Sequence, residues 1–307
     1  MDLIRLETGN LEARDGTRIS YEIHGEGERS LVFVYGLACL INHWHFQIEA
    51  FSIRHSVVCF DLRGHHKSGL PEDPRNLSFQ NCVEDLVDLC RFLEARGQKR
   101  ITLVGHSLGV PLVLGAALEA PERVDSMVLV NGFARNPLRG TLGRALVQTP
   151  LLSARELYRM QPDWAQKLWN QIVRSPLSAS FSGWMGGFNL KLTDVHDIEI
   201  YLKGVSQVPL SVFFPLFEEL LKVDLTSQLK EIDTPCLIVG GDSDHLTPRE
   251  VQEELHRNLK NSELLMIPYG SHCTQLDFPD FLNLKILDFL SRISSESRPK
   301  ALDQKRK

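Results

Sequence analysis

Ile101-Thr102-Leu103-Val104-Gly105-His106-Ser107-Leu108-Gly109-Val110-Pro111-Leu112 joins a short run of strand-forming residues to a segment of helical period. A strand over 101–104 followed by a helix over 110–119, with Pro111 tolerated in its first turn, places Ser107 in the sharp turn between them. Gly105 and Gly109 then remove the side chains that would clash there, and the turn lifts the serine hydroxyl above the end of the strand. This is the pattern of a nucleophile elbow, in which the Leu108 amide points to where a negative oxygen would form.

Reading outward from this turn, short apolar runs bounded by Gly, Pro or Asp alternate with longer helical patterns. That rhythm belongs to an α/β fold with a mostly parallel, doubly wound sheet. The buried strand candidates are 31–35, 57–61, 101–104, 127–130, 236–239 and 264–267. Before them, Asp15-Gly16-Thr17 and the alternating Arg18-Ile19-Ser20-Tyr21-Glu22-Ile23 predict an antiparallel hairpin at one edge. Phe79, Val83, Leu86, Val87, Cys90 and Leu93 share one face of a helix, with Ser78 as its cap and Gly97 as its stop. The rhythm fails over 132–229, where helical patterns at 142–160 and 208–222 occur without a convincing strand. The expected organisation is a core of 1–131 and 230–293, an inserted helical cap of 132–229, and a disordered polar tail of 294–307. Within the insertion, Phe181-Ser182-Gly183-Trp184-Met185-Gly186-Gly187-Phe188 has glycines that permit bending. Its rings, Trp184 and Phe188 among them, either line a substrate pocket or simply pack the cap.

Composition narrows the function. The 307 residues are 43% hydrophobic and 24% charged, ordinary for a globular chain that folds without staples. A net charge of −5 gives nucleic acid no electrostatic reason to bind. No signal-like leader and no membrane-length apolar run is visible, so the default expectation is a cytoplasmic protein. Cys39, Cys59, Cys82, Cys90, Cys236 and Cys273 form no CxxC pair and fall mostly in apolar segments, which predicts buried, reduced thiols. His43, His45, His65 and His66 lie in loops at one end of the expected sheet, but lack the spacing of a metal site, and no metal or cofactor is expected.

A serine hydroxyl needs a base, and the base needs a carboxylate to fix its tautomer. Downstream, Gly241-Asp242-Ser243-Asp244 follows the strand candidate 236–239, and Gly270-Ser271-His272 follows 264–267. Both lie at carboxyl ends of strands, where open α/β sheets build sites. His272 is the candidate base, and either Asp242 or Asp244 can orient it.

From about Leu11 to Leu290 the chain resembles the α/β-hydrolase superfamily in its cap-bearing bacterial esterase, lipase and C–C hydrolase branch, whose sheet has about eight strands. In that branch the acid usually ends a GxxD stretch followed by xxxP, which matches Gly241, Asp244 and Pro248 and implies Asp244. Asp242 is then a turn residue bonding nearby amides. The resemblance implies a second oxyanion donor just after a His-Gly pair; here the pair is Tyr35-Gly36, so the donor is the Leu37 amide, with Tyr35 beside the pocket. Asp61-Leu62-Arg63-Gly64-His65-His66-Lys67-Ser68 is similar to the family's DxRGxGxS turn, with His66 where glycine is usual. If that position requires positive φ, histidine carries a cost. Relatives that hydrolyse epoxides or haloalkanes use aspartate where Ser107 stands, and C–C hydrolases commonly have Trp where Cys273 follows His272. The implied activity is hydrolysis of an ester, lactone or thioester, and the Leu, Phe and Trp content of the expected cap, with little clustered charge, suggests a small to medium apolar acyl substrate. A C–C hydrolase or a ligand-sensing receptor on the same fold are the alternatives.

Overall fold

The computed structural model describes residues 6–140 and 144–296. Eight strands form one sheet: β1 (Leu6–Glu12), β2 (Arg18–His24), β3 (Arg29–Val34), β4 (Ser56–Phe60), β5 (Arg100–His106), β6 (Ser126–Val130), β7 (Cys236–Gly241) and β8 (Ser262–Ile267). Their order is β1-β2-β4-β3-β5-β6-β7-β8. β1 pairs antiparallel with β2 and β2 with β4, while the pairs from β4 to β8 are parallel. The predicted hairpin edge and six parallel strands are therefore present. β3 to β7 are buried along almost their whole length because helices cover both faces.

Helices α1 (His45–Phe51), α2 (Phe79–Ala95) and α3 (Gly109–Glu119) follow β3, β4 and β5. Ser78 Oγ accepts from the Asn81 amide at 3.2 Å and caps α2, and Gly97 closes its end at φ +92°. Between β6 and β7 the chain forms α4 (Thr149–Met160), α5 (Pro162–Val173), α6 (Pro176–Trp184), α7 (Val195–Gln207) and α8 (Leu210–Lys222). The start of the helical pattern at 142 lies outside the described residues, and α8 begins at Leu210 because Pro209 precedes it. The chain leaves and re-enters through a two-stranded neck. An isolated bridge pairs Arg135 with Asp224, and the Leu225 amide donates to the Ala134 carbonyl at 2.8 Å. α9 (Arg249–Asn258), the single turn α10 (Thr274–Asp277) and α11 (Pro279–Glu296) complete the fold. α11 runs three residues into the stretch expected to be a disordered tail, whose remainder, 297–307, lies outside the described residues.

All six cysteines are free and buried, as expected. Among the described residues no single helix is long and apolar enough to cross a membrane.

The parallel register sets up the site. β3, β5, β6, β7 and β8 point the same way, so Leu37, Ser107, Asn131, Asp244 and His272, each just beyond a strand, all arise at the carboxyl edge of the sheet.

Candidate active site

Ser107 occupies the left-handed region at φ +53°, a conformation that costs a non-glycine residue about 1–2 kcal/mol and survives only where its flanks are fixed. Here β5 fixes one side and buried α3 the other, and the Ser107 amide donates to the Val130 carbonyl of β6 at 3.2 Å. The glycines are required by close approach. A Cβ on Gly109 would lie 2.1 Å from the Val34 carbonyl oxygen, and one on Gly105 would lie 2.7 Å from the Gly109 carbonyl oxygen. Ser107 itself remains partly exposed.

His272 Nδ1 lies 2.8 Å from Asp244 Oδ2. Asp244 is 1% exposed, and its other oxygen accepts the amides of Leu246 at 2.8 Å and Thr247 at 3.0 Å. The Thr247 hydroxyl donates to Oδ2 at 2.6 Å. Burial opposes ionisation of Asp244, but the His272 imidazolium and these hydrogen bonds outweigh it and hold the carboxyl below its ordinary range. Asp242 was expected to bond nearby amides, but its carboxylate accepts no backbone amide among the described residues: it takes the Arg249 guanidinium at 2.6 Å in an exposed pair.

Around the elbow, the Ala38 amide donates to His65 Nε2 at 3.1 Å, whereas the Leu37 and Leu108 amides have no hydrogen-bond partner among the described residues. Burial pushes His65 down to about 4, so it stays neutral and can accept at Nε2 while Nδ1 donates to the Arg63 carbonyl. His66 does adopt positive φ, +40°, and its Nε2 contacts the Cys39 carbonyl at 2.8 Å, a hydrogen bond that offsets the backbone cost and that glycine could not make. In the same turn Asp61 accepts from the Lys67 amide, and Ser68 Oγ donates to the Asp61 carbonyl. The four loop histidines do not converge: His65 and His66 are engaged as described, and His45 faces Asp197.

Of the three expected pocket residues, Tyr35 stands elsewhere than supposed. Tyr35 is 1% exposed, its hydroxyl donating to Asp61 at 2.9 Å and accepting from the Leu62 amide, so it ties two loops together and does not face an open cleft. Trp184 is 63% exposed and leans on Phe181 at the surface. Phe188 is buried edge-on to Tyr201. Trp184 and Phe188 do share a cleft of about 600 Å³ with Ser243, Tyr269 and Ser271, beside the acid and base loops. Over the elbow, a different apolar cluster of Leu108, Phe133 and Leu220, flanked by Leu37 and Val251, gathers next to the free amides. The glycines of the 181–188 stretch also serve contact. Gly186 is at φ +75°, a Cβ there would strike the Ser243 carbonyl oxygen at 2.2 Å, and its own carbonyl accepts the His272 amide at 2.7 Å.

These features fit the comparisons with known proteins. A profile of the alpha/beta hydrolase fold matches residues 29–279. The chain belongs to the α/β-hydrolase family. It is 27% identical over 281 residues to RutD of Azorhizobium caulinodans, named as a proposed carbamate hydrolase, covering 89% of this chain and 95% of that one. It is 27% identical over 287 residues to human epoxide hydrolase 4, covering 90% and 76% of the two chains. Among solved structures, the enol-lactonase of Burkholderia xenovorans superposes with a TM-score of 0.75 at 20% identity, covering 92% of this chain and all of that one. This chain is therefore a hydrolase of that fold.

One residue of this hydrolase's site gives no signal in the sequence. Asn131, fully buried at φ +45°, donates from Nδ2 to the carbonyls of Ser271 and His272, both at 2.6 Å, and accepts the Gly241 amide at Oδ1. Its carbonyl, 2.9 Å from Thr247 Oγ1, shares that single hydroxyl proton with Asp244. A single side chain thus holds the loop of Asp244 against the loop of His272. Asn131→Ala is expected to lose about 2–4 kcal/mol in urea unfolding, since it strands the buried Gly241 amide and the Ser271 carbonyl and removes one of two donors to the His272 carbonyl. Asn131→Gly should lose slightly less, because glycine removes the left-handed strain while forfeiting the same bonds. A loss under about 0.5 kcal/mol in both would show the strut to be idle.

Proposed function

We propose that this hydrolase cleaves a carboxylic ester, lactone or thioester of an apolar acyl group through an acyl-enzyme. Ser107 Oγ attacks the carbonyl carbon, His272 takes its proton and returns it to the leaving group, and Asp244 steadies the imidazolium. The Leu37 and Leu108 amides receive the oxyanion. A water that gives its proton to His272 then attacks the acyl carbon, breaking the ester to Ser107 and restoring the free hydroxyl. The observation that carries the reading is the 2.8 Å contact between His272 Nδ1 and buried Asp244, on the same sheet edge as the serine elbow.

The insertion 132–229 acts as a cap, and Leu37, Phe133 and Leu220 supply an apolar acyl site. Six buried thiols suit a reducing compartment such as the cytoplasm. The test is a panel of p-nitrophenyl esters of increasing chain length together with one aryl carbamate. Turnover that passes through a maximum with acyl length supports an ester hydrolase. Turnover of the carbamate alone would move the assignment toward the activity for which RutD is named, and negligible turnover with tight, saturable ligand binding would make the protein a receptor.

A further inference from the structure

Beside the serine elbow, polar side chains converge in a buried place where an apolar core is expected. Cys39 comes from the loop after β3, His43 from the 3₁₀ turn Ile41–Trp44, and His106 from the last position of β5. All three are buried, and one ligand atom from each lies within 4.8 Å of the others. The two imidazole rings are 5.0 Å apart between centroids. Nδ1 of His43 and Nδ1 of His106 are both buried with no hydrogen-bond partner among the described residues.

The far nitrogens are, by contrast, held. His106 Nε2 lies 2.8 Å from the His272 carbonyl, which can only accept, so the ring carries its proton on Nε2 and presents a bare lone pair at Nδ1. His43 Nε2 lies 2.6 Å from the amide nitrogen of Gln275, whose own oxygen is buried without a partner; half a turn of that amide brings the oxygen to the ring, where it accepts Nε2–H and leaves Nδ1 bare in the same way. This is how metal-binding imidazoles are oriented, by a carbonyl or amide on the nitrogen that does not bind. Cys39 Sγ has only weak partners, the Leu37 carbonyl at 3.8 Å and the Tyr201 hydroxyl at 3.6 Å.

We propose that Cys39 Sγ, His43 Nδ1 and His106 Nδ1 form a buried site for a borderline-soft divalent metal ion of the zinc class, with the Tyr201 hydroxyl or a water as fourth ligand. One thiolate and two imidazoles suit such an ion, and ligand distances of about 2.0–2.3 Å require the present cluster to contract. On binding, Cys39 gives up its proton to solvent. The movement falls on the loop carrying Leu37, since Cys39 Sγ and Ser107 Oγ each lie 3.4 Å from the point a Cβ on Gly36 would occupy. The ion would therefore tie that loop to the elbow strand, whatever reaction the elbow performs.

The test uses the full chain, reduced and stripped of metal. Zinc is titrated against a chromophoric chelator, and cadmium is followed by its near-ultraviolet thiolate charge-transfer band. The expected result is one ion per chain and a band that disappears in Cys39→Ser, with affinity lowered at least about tenfold in His43→Gln. Circular dichroism checks that each variant folds, and if Cys39→Ser does not, His43→Gln decides. No uptake by the wild type, a band that persists in folded Cys39→Ser, or unchanged affinity in His43→Gln would overturn the site.

Discussion

Ser107→Ala is expected to lower kcat on the best ester by about a million-fold, and to abolish covalent labelling by a fluorophosphonate. The size follows from the absence of a substitute. A neighbouring nucleophile, Cys39, is pushed up to about 12 by burial and stays a neutral thiol across any practical assay pH. What remains is substrate binding and the two amides, worth about 10³–10⁴ over water. Alanine at φ +53° keeps the backbone strain while losing the hydroxyl, so a folding defect could be mistaken for a chemical one. Ser107→Gly separates them: glycine enters the left-handed region freely, and the variant should be folded and equally inactive. Labelling that persists in either variant would remove Ser107 from the mechanism.

The elbow was legible because its causes are local: a strand, a turn that admits no side chain at Gly105 or Gly109, and a buried helix follow one another in a dozen residues. The parallel strands were legible for the same reason, since burial on both faces writes itself as an apolar run. What could not be read is what the fold brings together from afar. Asn131 looks like any residue ending a strand, and only the pairing of β6 with β7 sets it between the loops of Asp244 and His272. Gly186 reads as a bend, yet its need for a bare Cα comes from Ser243, more than fifty positions away. Tyr35 was placed at a pocket by its neighbour Gly36, although its hydroxyl is spent on Asp61, at the end of the adjacent strand. The helices α5 to α7 were not read from the sequence; they leave large residues such as Trp164, Leu177 and Trp184 exposed, and α7 buries Ile198 against Cys273 and Leu276, partners far off in the chain.

Asp244→Asn should lower kcat about 10⁴-fold while leaving the fold intact, and the hydrogen bonds around the carboxylate say why. Every group facing Asp244 is a donor: the Leu246 and Thr247 amides on Oδ1, the Thr247 hydroxyl and His272 Nδ1 on Oδ2. An asparagine has one oxygen to offer, and the two fixed backbone amides claim it. Its NH₂ then faces the imidazole and donates to Nδ1, which forces the proton onto Nε2, where it blocks acceptance from the serine. Thr247 escapes the conflict by turning its hydroxyl fully to the Asn131 carbonyl, 2.9 Å away, which is why the loss falls on chemistry and not on folding. Asp242→Asn breaks only the exposed pair with Arg249, worth at most about 1 kcal/mol, and should leave kcat near the wild-type value. Equal losses in the two variants, measured on the same ester, would mean that the 2.8 Å contact is not what makes His272 a base.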